Sequence, residues 1–172
     1  MNLFVLDQEP EKAAQLNQDI HVRKICLEAT QLLTNCFSED QLRFAPLTQT
    51  GNVRKYSHIH HPVSKWVKET SENFKWALSH ALALSEEFYY RFEKDHFCST
   101  FIKWASIHTP ELVGVGKLSE HPQCFKAYPE LMVDGNPVEG YRNYYKTAKR
   151  SFLIRGKIIN ATWTNRQVPE WF

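Results

Sequence analysis

The residues best suited to chemistry in this chain follow one edge of a helix near the N-terminus. The segment "DIHVRKICLEATQLL" (19–33) predicts an amphipathic helix from about Asp19 to Phe37. At about 100° per residue, the polar edge of this helix covers an arc of about 80° beside its apolar face. That edge carries His21, Lys24, Glu28, Gln31 and Asn35. A carboxylate near a histidine and a lysine has the chemistry of a general base or an electrostatic stabiliser.

A second polar line follows the helical segment that begins at Pro62. This segment has no Gly, and no Pro after its first turn, so it predicts one helix that continues to about Asp95. Beside its apolar face, an arc of about 40° holds Glu69, Asn73, His80, Glu87 and Arg91. If the two long helices pack by their apolar faces, the two polar lines meet and must pair or line a cleft. The alternative is a set of ordinary i,i+4 pairs on half-exposed helix edges.

A third candidate is the segment "YRNYYKTAKR" (141–150), which alternates aromatic and basic side chains. Its members are Tyr141, Arg142, Tyr144, Tyr145, Lys146, Lys149 and Arg150. Cations neutralise phosphates while rings stack on bases or brace a groove, so the pattern is typical of nucleic-acid binding. The alternative is a helix with half-buried tyrosines and solvated cations, which also suit the C-terminal end of a helix dipole.

The histidine cluster His58, His60 and His61 resembles a metal site only in composition. No fourth ligand stands at a recognised spacing, so we expect no metal there, and no other cofactor is indicated. His61 precedes Pro62 and could instead lie at a helix N-terminus, where phosphate oxygens are favoured.

The elements that must position these residues are mainly helical. Besides the two long amphipathic helices, Asn136, Pro137 and Glu139 form a capping-box pattern at the start of a C-terminal aromatic-basic helix. Shorter helices are expected after Pro10, with Asp7 as a possible cap, and over "FIKWASIH". The run "LFVL" (3–6) is either a short strand or an extended arm, and residues 38–61 read as a long polar connection. We therefore predict an all-α, single-domain fold over residues 1–172 with little β-structure.

Composition sets broad limits on the class of protein. The chain has 42% hydrophobic and 23% charged residues and a net charge of +2, which is ordinary for a folded globular protein. No signal peptide is visible, and no apolar run approaches the ~18 residues needed to span a membrane. Four cysteines without CxxC spacing favour reduced thiols. These features predict a cytoplasmic protein with no membrane association, and we expect a monomer.

Three segments together resemble the phage pyrimidine-dimer DNA glycosylases, the endonuclease V-like family. The first is "HVRKICLEA" (21–29), in which a His is followed seven residues later by a Glu. The second is "HHPVSKWVKETSENFKWALSHALALSEEFYYRF" (60–92), similar in position and length to the long central helix of that family. The third is "YRNYYK" near the C-terminus. The three segments cover about half of the chain.

The resemblance implies a compact all-α enzyme that flips a nucleotide, cleaves the glycosidic bond and nicks the strand. In that family the N-terminal α-amine forms an imine with the sugar, and the Glu of the early helix is the catalytic carboxylate. Carried over to this chain, the catalytic groups are Glu28, His21 and the amine of Met1. A terminal amine in its neutral form is a plausible nucleophile. The family exposes a small second residue after removal of Met, whereas the second residue here is Asn2, and Leu27 replaces the arginine before the Glu.

The expected partner is duplex DNA with a damaged or modified pyrimidine. Contacts to it are predicted for Arg23, Lys24, Gln31, His61, Asn73, His80, Glu87, Arg91, Tyr141, Arg142, Tyr145, Lys146 and Lys149. Two alternatives stay open from the sequence. One is an enzyme that acts on a free or modified nucleotide in the same fold, and the other is a non-catalytic nucleic-acid-binding module.

Overall fold

Seven α-helices and one short hairpin make up the regular structure. A computed structural model describes all 172 residues, of which 47% are helical. The helices are α1 (Pro10–Leu16), α2 (Asp19–Thr34), α3 (Glu39–Arg43), α4 (Pro62–Glu69), α5 (Ser71–Phe92), α6 (Ser99–Ser106) and α7 (Pro137–Ala148), with one 3₁₀ turn at Pro129–Leu131. The antiparallel hairpin consists of β1 (Ser151–Ile154) and β2 (Lys157–Asn160). The prediction of a mainly helical protein is confirmed, and the hairpin is the exception to an all-α fold.

Helix α5 lies at the centre and packs against α1, α2, α4 and α6. The apolar face predicted for α2 is buried, because Val22, Ile25 and Ala29 all lie in one core cluster of 33 buried residues. All four cysteines are free thiols. None of the helices is both long enough and apolar enough to cross a membrane.

The N-terminal run "LFVL" (3–6) is an arm without regular secondary structure rather than a strand, and its backbone is not extended at Phe4, where φ is 46°. Leu3, Phe4, Val5 and Leu6 are all buried, and none of the 84 backbone–backbone hydrogen bonds involves residues 1–6. Buried backbone polar groups must find partners, so the arm depends on side chains from the surrounding elements. Several residues of the candidate site supply these hydrogen bonds.

The prediction of one continuous helix from Pro62 to Asp95 is wrong, because the helix is interrupted at Thr70. Thr70 has extended backbone angles (φ −138°, ψ 155°), and its hydroxyl accepts a hydrogen bond from the Asn73 N–H at 3.1 Å. On the other side of the break, the Gly114 N–H donates to the carbonyl of Lys68 at 3.0 Å. An N-cap hydroxyl therefore starts α5, while an incoming loop supplies a donor to the end of α4.

Other boundaries differ in smaller ways. Helix α2 ends at Thr34 rather than Phe37, and α1 has Glu9 at its N-cap position without a side-chain cap. Asp7 instead accepts a hydrogen bond from the Glu9 N–H. The polar connection 38–61 contains the short helix α3. The start of α7 is as predicted, since the Asn136 side chain accepts a hydrogen bond from the Glu139 N–H at 3.2 Å.

We expect Thr70→Ala to lower the free energy of unfolding by about 1 kcal/mol, because α5 loses its side-chain cap. For a chain of this size, the melting temperature should fall by about 2–4 °C. Thermal unfolding followed by circular dichroism measures the change. Thr70→Ser retains the hydroxyl and is the matched control. Equal destabilisation by both variants would contradict the role of the hydroxyl.

Candidate functional site

The Glu28 side chain lies against the N-terminus of the chain. Its Oε2 accepts a hydrogen bond from the backbone N–H of Asn2 at 2.6 Å. Its Oε1 lies 3.7 Å from the ammonium of Lys24, and the Glu28 side chain is only 14% exposed. The α-amine of Met1 is one residue beyond the amide that Glu28 holds. The structure therefore places the Glu28 carboxylate, predicted to be catalytic, against the amide one residue from the terminal amine.

Asn2 fixes the N-terminus in this position. Its side-chain Nδ2 donates to the carbonyl of Cys124 at 3.2 Å, and its Oδ1 accepts from the Phe4 N–H at 3.1 Å. With the bond to Glu28, Asn2 makes three hydrogen bonds and is buried. Chain termini are usually mobile unless they are tied down. Asn2 stands where the phage glycosylase family has a small residue, and in this protein it has a structural role.

His61 belongs to the same cluster. It is the N-cap residue of α4, and its Nδ1 accepts a hydrogen bond from the Val63 N–H at 3.3 Å. The pKa of His61 is lowered mainly by burial and then by the positive charges of the N-terminal amine and His58, while Glu28 opposes the shift. A charge shifts the pKa of a histidine only when it lies close to the imidazole ring. His61 therefore lies within range of the charges of the Met1 amine and the Glu28 carboxylate.

His21 lies apart from Glu28, about 10 Å further towards the start of α2. Its Nδ1 is hydrogen-bonded to the hydroxyl of Tyr145, and that hydroxyl donates to Oδ1 of Asn17 at 2.9 Å. Burial, followed by the charges of Lys149 and Lys24, lowers the pKa of His21 to about 3. His21 is thus a neutral member of a buried hydrogen-bond chain.

A row of four rings joins His21 to the C-terminal region. His21 stacks on Phe4 with 4.3 Å between ring centroids, Phe4 faces Tyr144 at 6.2 Å, and Tyr144 stacks on Phe125 at 4.6 Å. The ammonium of Lys149 lies 4.7 Å from the Tyr144 ring centroid. Sequence analysis missed Phe4 and Phe125, because nothing in their local pattern distinguishes them from other core residues.

The polar line of α5 does not pair with Glu28 or Lys24. Asn73 donates to the Trp66 carbonyl at 2.8 Å and to the Ser119 hydroxyl at 2.9 Å. Both ring nitrogens of His80 meet carbonyl oxygens, that of Pro10 at 3.0 Å and that of Leu3 at 2.9 Å. These two side chains therefore serve the N-terminal arm and a neighbouring loop rather than a shared cleft with α2.

The far end of that line is a buried ionic network. Arg91 contacts Glu87 at 2.7 Å and Asp19 at 3.0 Å, and its guanidinium is fully buried. Arg166, which sequence analysis missed, donates to both oxygens of Glu87 at 3.0 and 2.8 Å. Asp19 also accepts hydrogen bonds from Thr164 in the C-terminal tail. The network holds the C-terminal tail against α2 and α5. Each of its charged groups is already paired with another residue of this chain.

The segment 141–150 divides into a buried side and an exposed side. Tyr141 and Tyr145 are 1% and 0% exposed, and the Tyr141 hydroxyl donates to the Pro122 carbonyl at 2.8 Å. Their rings contact protein, so the half-buried Tyr144 is the ring of this segment nearest the surface. Arg142 is paired with Asp7 at 3.3 Å, whereas Lys146 and Lys149 have no carboxylate partner.

The C-terminal region carries an unbalanced positive charge. Residues 140–169 contain seven Lys and Arg and no Asp or Glu, so with a net charge of +2 for the whole chain the other residues sum to −5. Of the seven, Arg142 and Arg166 are paired with acids. The five without an acidic side-chain partner, which we call the basic surface, are Lys146, Lys149, Arg150, Arg155 and Lys157. The Arg150 guanidinium donates to the backbone oxygens of Lys146 and Phe172, each at 2.8 Å.

The remaining predicted residues lie around these features. Arg23 and Lys24 are exposed on α2, and Gln31 is half-buried one turn beyond Glu28. His58 and His60 are exposed. No group of three His, Cys, Asp or Glu side chains is arranged to hold a metal ion. The comparisons of the chain with protein-family models, curated proteins and solved structures gave no match.

The buried His21 makes the stability of the fold dependent on pH. Its pKa is about 3 in the folded protein against 6.5 when exposed, so below pH 6.5 the unfolded chain binds a proton that the folded chain does not. Stability should therefore fall as the pH is lowered from about 6.5 towards 4. Urea unfolding at several pH values measures this slope.

Two variants assign the slope to His21. His21→Asn should reduce the pH dependence of the unfolding free energy over this range. Tyr145→Phe removes the hydrogen-bond partner but retains the burial, which is the main cause of the shift, so it should preserve most of the slope. An unchanged slope in His21→Asn would contradict this account.

Proposed function

We propose that this protein is a DNA glycosylase with AP lyase activity that acts on damaged or modified pyrimidines. The observation that carries the proposal is the N-terminal site, in which Asn2 and Glu28 hold the chain end beside a shielded carboxylate. An N-terminal amine near a carboxylate and an adjacent histidine has the groups needed for imine chemistry at a sugar carbon.

The proposed reaction begins with attack of the Met1 amine on C1′ of the deoxyribose. A C1′–N bond forms, the C1′–base bond breaks, and the base leaves with the bonding electrons and takes a proton. The amine nitrogen then loses a proton as the C1′–O4′ bond opens and O4′ gains one, which leaves a protonated imine. Loss of a C2′ proton expels the 3′ phosphate, and addition of water to the imine releases the amine.

Glu28 has two roles in this scheme. Its negative charge stabilises the cationic sugar carbon as the base departs, and its free lone pairs carry the proton from the amine towards O4′. The 14% exposure of its side chain makes the charge effective, since little water screens it. Lys24 and His61 flank the site as hydrogen-bond donors for phosphate oxygens.

The basic surface supports a nucleic-acid partner. Its five cations lack acidic neighbours in the sequence, and neutralising phosphates releases counterions from the DNA. The acidic excess elsewhere in the chain limits binding to this one side.

The second candidate function is a non-catalytic DNA-binding module, which is favoured by one contact: Glu28 already satisfies the buried amide of Asn2. The free thiols agree with a cytoplasmic location, which we propose as well.

Borohydride trapping on duplex DNA with a thymine dimer tests the enzymatic proposal. The wild-type protein should form a covalent adduct, and Glu28→Gln should form it about 10²–10³ times more slowly, because the stabilising charge is lost. Glu86→Gln, an exposed change on α5, is the matched control and should react like the wild type. A Glu28→Gln protein that is destabilised but equally reactive would assign Glu28 to structure alone.

The same assay identifies the nucleophile. One extra residue before Met1 moves the amine by about 3.8 Å and should abolish the adduct while retaining binding. A chain that begins at Asn2 moves the amine by one residue in the opposite direction, to the nitrogen that bonds Glu28 at 2.6 Å, and it should lose the adduct as well. DNA binding by the wild type without an adduct would favour the non-catalytic module. Tight binding of a free nucleotide without DNA binding would favour a nucleotide-directed enzyme.

The salt dependence of binding tests the partner. If Lys146 and Lys149 contact phosphates, their joint replacement by Ala should flatten the slope of log affinity against log salt by about 0.9 per lost contact. Lys12 and Lys75 are each paired with a nearby Glu and provide a matched control. Their replacement should leave the slope unchanged. Equal effects of the two double variants would mean that the basic surface does not bind DNA.

A further inference from the structure

The β1–β2 hairpin presents two apolar side chains to solvent. Leu153 and Ile158 are directly opposite each other in the register, and they are 75% and 76% exposed. Adjacent residues in a strand point to opposite faces, so Phe152, Ile154 and Ile159 lie on the other face. That face is the better covered one, with Ile154 38% and Ile159 40% exposed. The hairpin thus has an anchored face and a free apolar face.

The turn of the hairpin places a cation at its tip. Arg155 and Gly156 have φ angles of 51° and 77°, the two positive values of a type I′ turn. The first position of this turn usually carries Asn, Asp or Gly, because other side chains are strained there. An arginine in this position costs stability relative to asparagine, while it extends a positive charge beyond Leu153 and Ile158. Lys157 adds a second cation next to it.

The base of the hairpin is connected to the candidate site. Phe152 packs edge-on against His21 with 5.5 Å between ring centroids, and Lys149 lies over the Phe152 ring at 5.8 Å. His21 and Glu28 are about 10 Å apart along α2.

We propose that this hairpin is a wedge that enters duplex DNA beside the nucleotide held at Glu28. Leu153 and Ile158 fill the space between unstacked bases, while Arg155 and Lys157 contact the flanking phosphates. Apolar side chains inserted between base steps are a recurrent way to kink DNA and expose a nucleotide. The inference rests on the proposed function and adds the element that opens the duplex.

Charge complementarity favours DNA over other occupants of this surface. The hairpin belongs to a thirty-residue stretch with seven cations and no acid, so a polyanion suits it. A second copy of the chain would bring the same positive charge to the contact. Two side chains also provide far less than the roughly 800 Å² per partner that a stable protein interface buries.

A 2-aminopurine reporter beside a mismatch or thymine dimer in duplex DNA tests the wedge, because its fluorescence rises on unstacking. Binding of the full-length wild-type protein should increase the signal several-fold. Leu153→Thr with Ile158→Thr should abolish the increase and reduce the preference for the distorted duplex about tenfold. Ile154→Thr with Ile159→Thr makes the same chemical change on the anchored face and is the matched control. Melting curves verify that both double variants are folded.

The outcomes separate this proposal from the proposed function. The wedge is supported if the Ile154/Ile159 double variant raises the fluorescence like the wild type while the Leu153/Ile158 double variant does not. If the Leu153/Ile158 pair unstacks the reporter as well as the wild type does, the wedge is wrong, whereas borohydride trapping still tests Glu28. No binding of the wild type to any duplex overturns both proposals. Loss of binding to anionic vesicles in the Leu153/Ile158 pair, with unchanged DNA binding, assigns the hairpin to a membrane surface and overturns the wedge.

Discussion

The fold depends on how a buried N-terminal arm without regular secondary structure satisfies its backbone hydrogen bonds. The arm has no strand partner, so side chains must supply the donors and acceptors. Glu28 accepts from the Asn2 amide, His80 meets the Leu3 carbonyl, and Arg142 donates to the Leu6 carbonyl at 2.9 Å. Three different helices thus hold one short segment. Without those contacts, the buried amides and carbonyls would each cost about 1–3 kcal/mol.

This requirement gives a physical reason for polar residues beside the apolar faces of α2 and α5. A polar side chain at the edge of the core is favourable when it reaches a buried backbone group that has no other partner. Glu28 and His80 do this for the arm, and Glu87 and Arg91 form part of the network that holds the C-terminal tail. The same anchoring fixes the chain end next to a carboxylate. A structural role for Glu28 therefore creates the geometry that the proposed chemistry uses, and the two roles do not exclude each other.

Charge in this protein is separated along the chain. The basic C-terminal region and the acidic remainder nearly cancel in the net charge of +2, which on its own gives no indication of a polyanionic partner. Two of the seven cations are neutralised by Asp7 and Glu87, both of which lie far away in the sequence. Of the five that remain, Lys149 lies over the rings of Tyr144 and Phe152, and Arg155 and Lys157 belong to the hairpin. The proposed DNA-binding side therefore follows from which cations the fold leaves unpaired.

The sequence by itself determined the helical class, the apolar face of α2 and the start of α7, because periodicity and capping are local properties. It also selected Glu28 together with His21 and the Met1 amine, whereas the structure places His21 apart from Glu28 in a hydrogen bond with Tyr145. It wrongly predicted one helix across Thr70. The hydrogen bond to the end of α4 is donated by Gly114, which is far along the chain, so the local sequence does not reveal it. Only the tertiary structure decided that Tyr141 and Tyr145 are buried, that Arg166 pairs with Glu87, and that Asn2 anchors the N-terminus. These contacts join residues distant in sequence, so no local pattern records them.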